Sequence, residues 1–170
     1  MEVGEPGREL LAIYDRALPQ VYGYLLPRCG DAAVAEDLTA ETFLAAVDAL
    51  DRGTVPDLTV AWLVTVARNK LVDHWRRRER DRRRQDDLEA GAELVEDPWD
   101  VHLDATVAND VLGRLGPHHR SALTLRYLDG LPVAEVAEHL GRTLHATEAL
   151  LVRARVAFRR IYESEGAVDG

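Results

Sequence analysis

The sequence predicts an all-α protein: two small helical domains, residues 1–84 and 105–170, joined by an acidic linker at 85–104. Three observations predict it. Apolar residues recur at steps of three and four, and no segment shows convincing period-two alternation. Glycine, proline and capping residues punctuate these runs at helix-length intervals. Charge falls into blocks: residues 1–67 carry eleven acids and four bases, 68–84 are net +6, 85–104 hold eight acids and no base, and 105–170 balance at eight and eight. The third block, QDDLEAGAELVEDPWDVHLD, is weakly periodic and contains Gly91 and Pro98, which is linker composition; a short helix around 99–112 can begin inside it.

The elements follow in order. Leu10, Ile13, Tyr14, Ala17, Val21 and Tyr24 step helically and end near Pro27. Asp31 is a fitting N-cap for a second helix carrying Val34, Leu38, Phe43, Leu44 and Val47, with Gly53 closing it. Pro56 and Asp57 open a third, with Leu63, Ala67, Leu71 and Trp75 on one side. Past the linker, Val107, Val111, Leu112 and Leu115 form a helix stopped by Gly116-Pro117. The next runs from His118 to Leu128, closed by Asp129-Gly130, and the adjacent His118 and His119 are expected to face solvent. Val133, Val136, Ala137 and Leu140 mark a short helix broken by Gly141. Thr143 caps a longer one with an apolar line of Leu144, Thr147, Leu151, Ala154 and Phe158. A short helix, a glycine-containing turn and a longer amphipathic helix match both a helix-turn-helix and a generic αα-hairpin.

Composition narrows the function. Cys29 is alone, so no intrachain disulfide forms and a reducing cytoplasm fits. The acidic start MEVGEPGREL lacks a signal-peptide layout. The longest uncharged runs, Ala17 to Pro27 and Leu58 to Ala67, fall short of the ~20 residues a membrane helix needs, so no membrane insertion is expected. The six histidines lack metal-ligand spacing, and there is no phosphate-binding glycine loop or nucleophile elbow. The acidic pairs Glu36-Asp37 and Asp86-Asp87 have no partnered base or nucleophile. No enzymatic activity, metal or cofactor is expected.

The exceptional segment is RNKLVDHWRRRERDRRR, residues 68–84, where nine of seventeen side chains are cationic in a chain of net charge −9. A basic stripe with nearby aromatics (Trp62, Trp75) is the footprint of a polyanion, because each neutralised phosphate releases counterions. Twenty of the 21 cations are arginine, a planar, bidentate ligand for phosphate and guanine. On a helical wheel, Trp62, Thr65, Asn69, Asp73 and Arg76 lie opposite Leu63, Ala67 and Leu71. Asn69 and Arg76 suit paired hydrogen bonds to bases or phosphates, and Trp62 suits stacking on an unpaired base. For Trp62 and Asp73 a purely structural role, packing between helices or pairing with a neighbouring arginine, fits equally.

In sequence order, EDLTAETFLAAV (36–47), AWLVTVARNKLVDHWRRR (61–78) and the helix-turn-helix ending in RAR (153–155) resemble the extracytoplasmic-function sigma factors over about residues 9–162. The resemblance implies a bacterial transcription initiation subunit with a sigma-2-like bundle, a sigma-4-like helix-turn-helix and no catalysis of its own. It implies that Asp37, Leu38, Glu41 and Phe43 bind the clamp coiled coil of the largest subunit of core RNA polymerase, with a further contact to the flap. It implies that Arg68, Asn69, Asp73, Arg76 and Arg77 read and open the minus-ten element, to which the wheel adds Trp62. It implies that the minus-thirty-five element is read through Thr143, His145, Ala146, Ala149, Arg153 and Arg155, and that an anti-sigma factor is a further partner. Two departures stand out. Ala40 occupies a position commonly Gln, and Ala146-Thr147-Glu148-Ala149-Leu150 stands where the family commonly has Thr-Val-Lys-Ser-Arg. The outward face of that helix, His145, Ala146, Ala149, Val152, Arg153, Val156 and Arg160, is unusually apolar. Two readings stand: alanines against thymine methyls with arginines on phosphates, or a surface covered by a partner.

Overall fold

The computed structural model describes residues 5–55, 57–85 and 105–166. Among them are seven α-helices, one π-helical turn and no strand: α1 (Glu5–Cys29), α2 (Ala32–Asp51), α3 (Val60–Gln85), α4 (Ala105–Arg114), α5 (Pro117–Leu123), the π-turn (Thr124–Leu128), α6 (Val133–Leu140) and α7 (Leu144–Gly166). Two compact units divide at Asp73/His74, inside α3 and ahead of the boundary expected at 84. Beyond Gln85 the expected linker lies outside the described residues, as does Pro56. No described helix is long and apolar enough to cross a membrane.

In the N-terminal unit α1 and α2 pack together, joined by only Gly30 and Asp31, which makes them antiparallel. α1 runs through Pro27 to Cys29. Pro27 has no N–H, so the helix forgoes that one bond in its last turn. The stop is Gly30, at φ 69, whose N–H bonds Leu26 O at 2.9 Å. Asp31 caps α2 as expected, accepting from Ala33 N (2.8 Å) and Val34 N (3.3 Å). The third helix opens differently: Thr59, not Pro56-Asp57, caps it, accepting from Trp62 N at 3.1 Å.

The buried face of α2 departs from the expected apolar line. It is Ala35, Leu38, Thr39, Thr42 and Ala46, while Leu44 stays 68% and Val47 43% exposed. Small side chains let two helices approach closely, and the buried threonines satisfy their own hydroxyls by donating to carbonyls one turn back (Thr39 to Ala35 O and Thr42 to Leu38 O, both 2.7 Å).

In the C-terminal unit α4, α5 and α6 all pack on α7. The break at Gly116 starts α5 with Pro117 in its first turn, where a missing N–H costs nothing. The π-turn is closed by Asp129 N bonding Thr124 O at 3.0 Å, and Gly130 (φ 67) redirects the chain. Gly141 (φ 63) ends α6 in a left-handed cap, and Thr143 starts α7, accepting from Ala146 N at 3.1 Å.

Two expectations for this unit are corrected. His118 and His119 do not face solvent: His119 is 8% exposed, and the two rings lie 4.1 Å apart. On α7, Leu144 is 51% exposed and Leu150 is completely shielded, so the core line is Thr147, Leu150, Leu151, Ala154 and Phe158. The two lines share four residues and differ in one, Leu150 in place of Leu144. A wheel drawn through Leu144 cannot resolve it, because that residue sits at the helix start, beyond the core's edge.

Candidate functional site

α3 carries the basic tract on a helix with a sharply divided cross-section. Leu63, Ala67, Leu71, Val72 and Trp75 are buried, while Thr65, Asn69, Asp73, Arg76 and Arg77 are exposed and Trp62 is half-buried. Four of the five residues read onto the outer wheel face therefore lie in the open. Trp75 is 2% exposed and belongs to the interior, leaving Trp62 as the aromatic of this face.

Arg68 is used differently from its neighbours. It is half-buried, and its Nε donates to Tyr24 Oη at 3.4 Å, tying α3 to α1. Arg28 lies over the same tyrosine ring at 3.9 Å and donates from Nη1 to Tyr24 O at 2.9 Å. Tyr24 thus anchors two guanidiniums, while burial of Leu63, Ala67 and Leu71 turns Asn69 outward.

The tail of the tract is engaged within the C-terminal unit. Glu79 Oε2 lies 2.9 Å from His118 Nδ1, with both side chains largely buried, an ion pair whenever the imidazole is protonated. The Arg82 guanidinium lies where a Cβ on Gly116 would stand, and the Arg76 guanidinium does the same at Gly141. Glycine at those two positions is what lets the arginines approach.

A second candidate surface lies on α1 and α2. Asp37 is exposed, and Glu41 and Phe43 are half-exposed. Leu38, expected among the contact residues, is 3% exposed; it packs inside the helix pair and has no surface to offer a partner. The Tyr14 and Phe43 rings meet at 5.1 Å, tilted by 59°, across the antiparallel pair. One turn back from Tyr14 is Leu11 (65% exposed) and one turn on from Phe43 is Val47, with Leu44 beside it. The result is an apolar strip rimmed by Asp37, Glu41 and Asp48. Helical spacing missed it because Leu44 and Val47 read as core.

The third surface is the outward side of α7. His145 and Arg160 are exposed, and Ala146, Ala149, Val152, Arg153 and Val156 are half-exposed, so none of the face read as outward is buried. Thr143 spends its hydroxyl on the N-cap. Arg155 donates from Nη1 to Tyr127 Oη at 3.1 Å, which commits part of its guanidinium to bracing α7 against the π-turn. Leu150, a departure from the family pattern, faces the core and leaves the outer surface unaltered; Glu148 is exposed and alters it.

An all-α chain whose α3 carries a cationic outer face and whose α6, glycine turn and capped α7 form a helix-turn-helix has the arrangement of a sigma factor. Residues 13–81 match Sigma-70 region 2, and residues 108–158 match Sigma-70, region 4. The chain belongs to the extracytoplasmic-function RNA polymerase sigma factors. It is 37% identical over 147 residues to the ECF RNA polymerase sigma factor BldN of Streptomyces coelicolor, covering 84% of this chain and 56% of that protein. It is 34% identical to the ECF RNA polymerase sigma factor SigL of Mycobacterium tuberculosis, covering 76% of this chain and 75% of that protein. Among solved structures, the sigma factor RpoE from Bartonella quintana, crystallised with the anti-sigma factor NepR, shares the fold at a TM-score of 0.53 and 23% identity, over 95% of this chain and 98% of that one.

Proposed function

We propose that this chain binds core RNA polymerase and directs promoter-specific initiation, opening the minus-ten element with α3 and reading the minus-thirty-five element with α7. The observation that carries the proposal is the outer face of α3, with Asn69, Asp73, Arg76 and Arg77 exposed over a fully apolar underside. Asn69 supplies the paired donor and acceptor that base edges require, Arg76 supplies a donor fork once its guanidinium leaves Gly141, and Trp62 supplies a stacking surface for a flipped base. Capture of unstacked bases offsets an unstacking cost of a few kcal/mol. Arg77, Arg78 and Arg80, all exposed, supply the salt-dependent phosphate attraction.

Polymerase docking falls to α1 and α2. Asp37, Glu41 and Phe43 carry it, with Leu11, Leu44 and Val47 extending it, because a strip of large apolar residues that contributes nothing to its own core is what an interface needs. The flap contact and the anti-sigma partner belong to the same proposal and rest on membership of the family.

Run-off transcription with the purified chain and core RNA polymerase on a single-promoter template tests this reading. A specific transcript is expected. Duplex binding without transcript would make the chain a stand-alone helix-turn-helix regulator, and absence of both would make it an interaction protein with weakened DNA binding. Selecting promoters from a genomic fragment pool with the reconstituted holoenzyme then identifies its targets.

A further inference from the structure

Glu148 is the one acid in α7's first two turns, at the edge of its outward face. It is exposed between Thr147, which is fully buried, and Ala149, which is half-exposed, so its side chain leaves the domain. With α7 beginning at Leu144, Glu148 is its fifth residue, beyond the first turn to which helix-dipole stabilisation of an acid is confined. Its place is therefore not explained by the stability of α7. The same turns offer His145, Ala146 and Ala149 beside it and no Lys or Arg; Arg153 follows more than a turn later, and Arg155 is braced by Tyr127.

In a helix-turn-helix the N-terminal residues of the second helix meet base edges, while phosphates are held from the periphery. A carboxylate is repelled by phosphate and by every acceptor in the major groove, namely N7 and O6 of guanine, N7 of adenine and O4 of thymine. It is welcome only at an exocyclic amine. The amine of adenine sits beside the N7 acceptor of the same base, and cytosine alone shows a donor with no acceptor on its own edge.

We propose that Glu148 accepts a hydrogen bond from cytosine N4 and fixes one C·G pair in the upstream promoter element, an inference that rests on the promoter-reading function proposed above. Ala149, next to Glu148, suits a thymine methyl. The substitution of an acid for the family's common cation thus redirects base preference instead of abolishing DNA binding.

The test uses the full chain bound to core RNA polymerase, selecting from a pool of duplexes whose upstream element is randomised. Wild type should enrich cytosine at one position, and replacing that base should weaken binding about 5- to 150-fold. Glu148→Gln should move the preference at that position to adenine, Glu148→Lys should move it to guanine, and Glu148→Ala should relax it, with the other positions unchanged. A preference that stays put in all three variants overturns the inference, and so does Glu148→Lys tightening binding equally on every sequence. Run-off transcription from the enriched templates separates the two levels. Transcript with an unmoved preference overturns the cytosine contact and leaves the initiation function standing; no transcript from any template overturns both.

Discussion

Replacing Leu150 with arginine restores the cation that the family commonly carries at this position, and it should break the protein instead of improving it. Leu150 is fully shielded from solvent within the core of the C-terminal unit, among Leu151, Ala154 and Val136 as fellow interior residues. Truncation to alanine removes the transfer free energy of the missing methyls and leaves a cavity, together about 2–5 kcal/mol. A unit of this size is stable by roughly 5–15 kcal/mol in total. At about 4–8 °C per kcal/mol, a loss of 3 kcal/mol corresponds to a melting point lower by roughly 12–24 °C. Arginine is worse, because its guanidinium would be buried without a partner or would have to pry α7 from α5. Urea unfolding followed by far-ultraviolet circular dichroism, on wild type, Leu150→Ala and Leu150→Arg, measures the midpoints. Glu148→Arg, one position outside the core, serves as the surface control and should stay within about 0.5 kcal/mol. If Leu150→Arg unfolds at the wild-type midpoint and binds duplex DNA more tightly, residue 150 faces the groove and the phase assigned to α7 is wrong.

Three other outcomes are expected. Leu44→Ser combined with Asp37→Ala should lower affinity for core polymerase about 10-fold or more without moving the unfolding midpoint, since both side chains are exposed; equal affinity by fluorescence titration would remove α2 from the docking surface. Arg76→Ala with Arg77→Ala should slow open-complex formation and reduce the slope of log affinity against log salt by about 1.8; unchanged permanganate reactivity of the minus-ten thymines would sink the assignment. Gly141→Ala should destabilise the C-terminal unit by about 1 kcal/mol or more, because φ 63 strains an L-residue and the new Cβ meets the Arg76 guanidinium, and an unmoved urea midpoint would show that the turn relaxes freely.

Helix existence was legible in the sequence because its signals are local. Asp31 and Thr143 cap helices where their side chains reach the next free N–H groups, and Gly53 and Gly141 take the positive φ that ends them. The division of α3 into an exposed polar face and an apolar underside was legible for the same reason, since one helix wheel suffices. What depends on a neighbouring helix was not. Ala35, Thr39, Thr42 and Ala46 became the buried side of α2 because α1 packs closely against them, and a hydrophobicity count favours Leu44 and Val47 instead. Arg68 and Arg155 look like DNA ligands in sequence, yet each donates to a tyrosine hydroxyl, 44 and 28 residues away along the chain. The burial of His118 and His119 is equally a matter of packing: Glu79, the acid beside His118, lies far back in the basic tract.

The two departures from the family pattern on α7 therefore have opposite meanings, and burial decides which is which. A change at a shielded position alters stability and leaves the outer surface as it was, so Leu150 is no argument for lost DNA binding. A change at an exposed position on the leading turns alters what the helix can touch, so Glu148 bears on which sequence is preferred. The same logic applies to α2. Leu44 contributes little to the fold at 68% exposure, and its large apolar surface is explained by a partner or not at all. Small residues inside and large ones outside invert the usual arrangement of a helix in a self-sufficient domain. That inversion supports the proposal that α2 packs on α1 within the chain and docks on the polymerase with its other side.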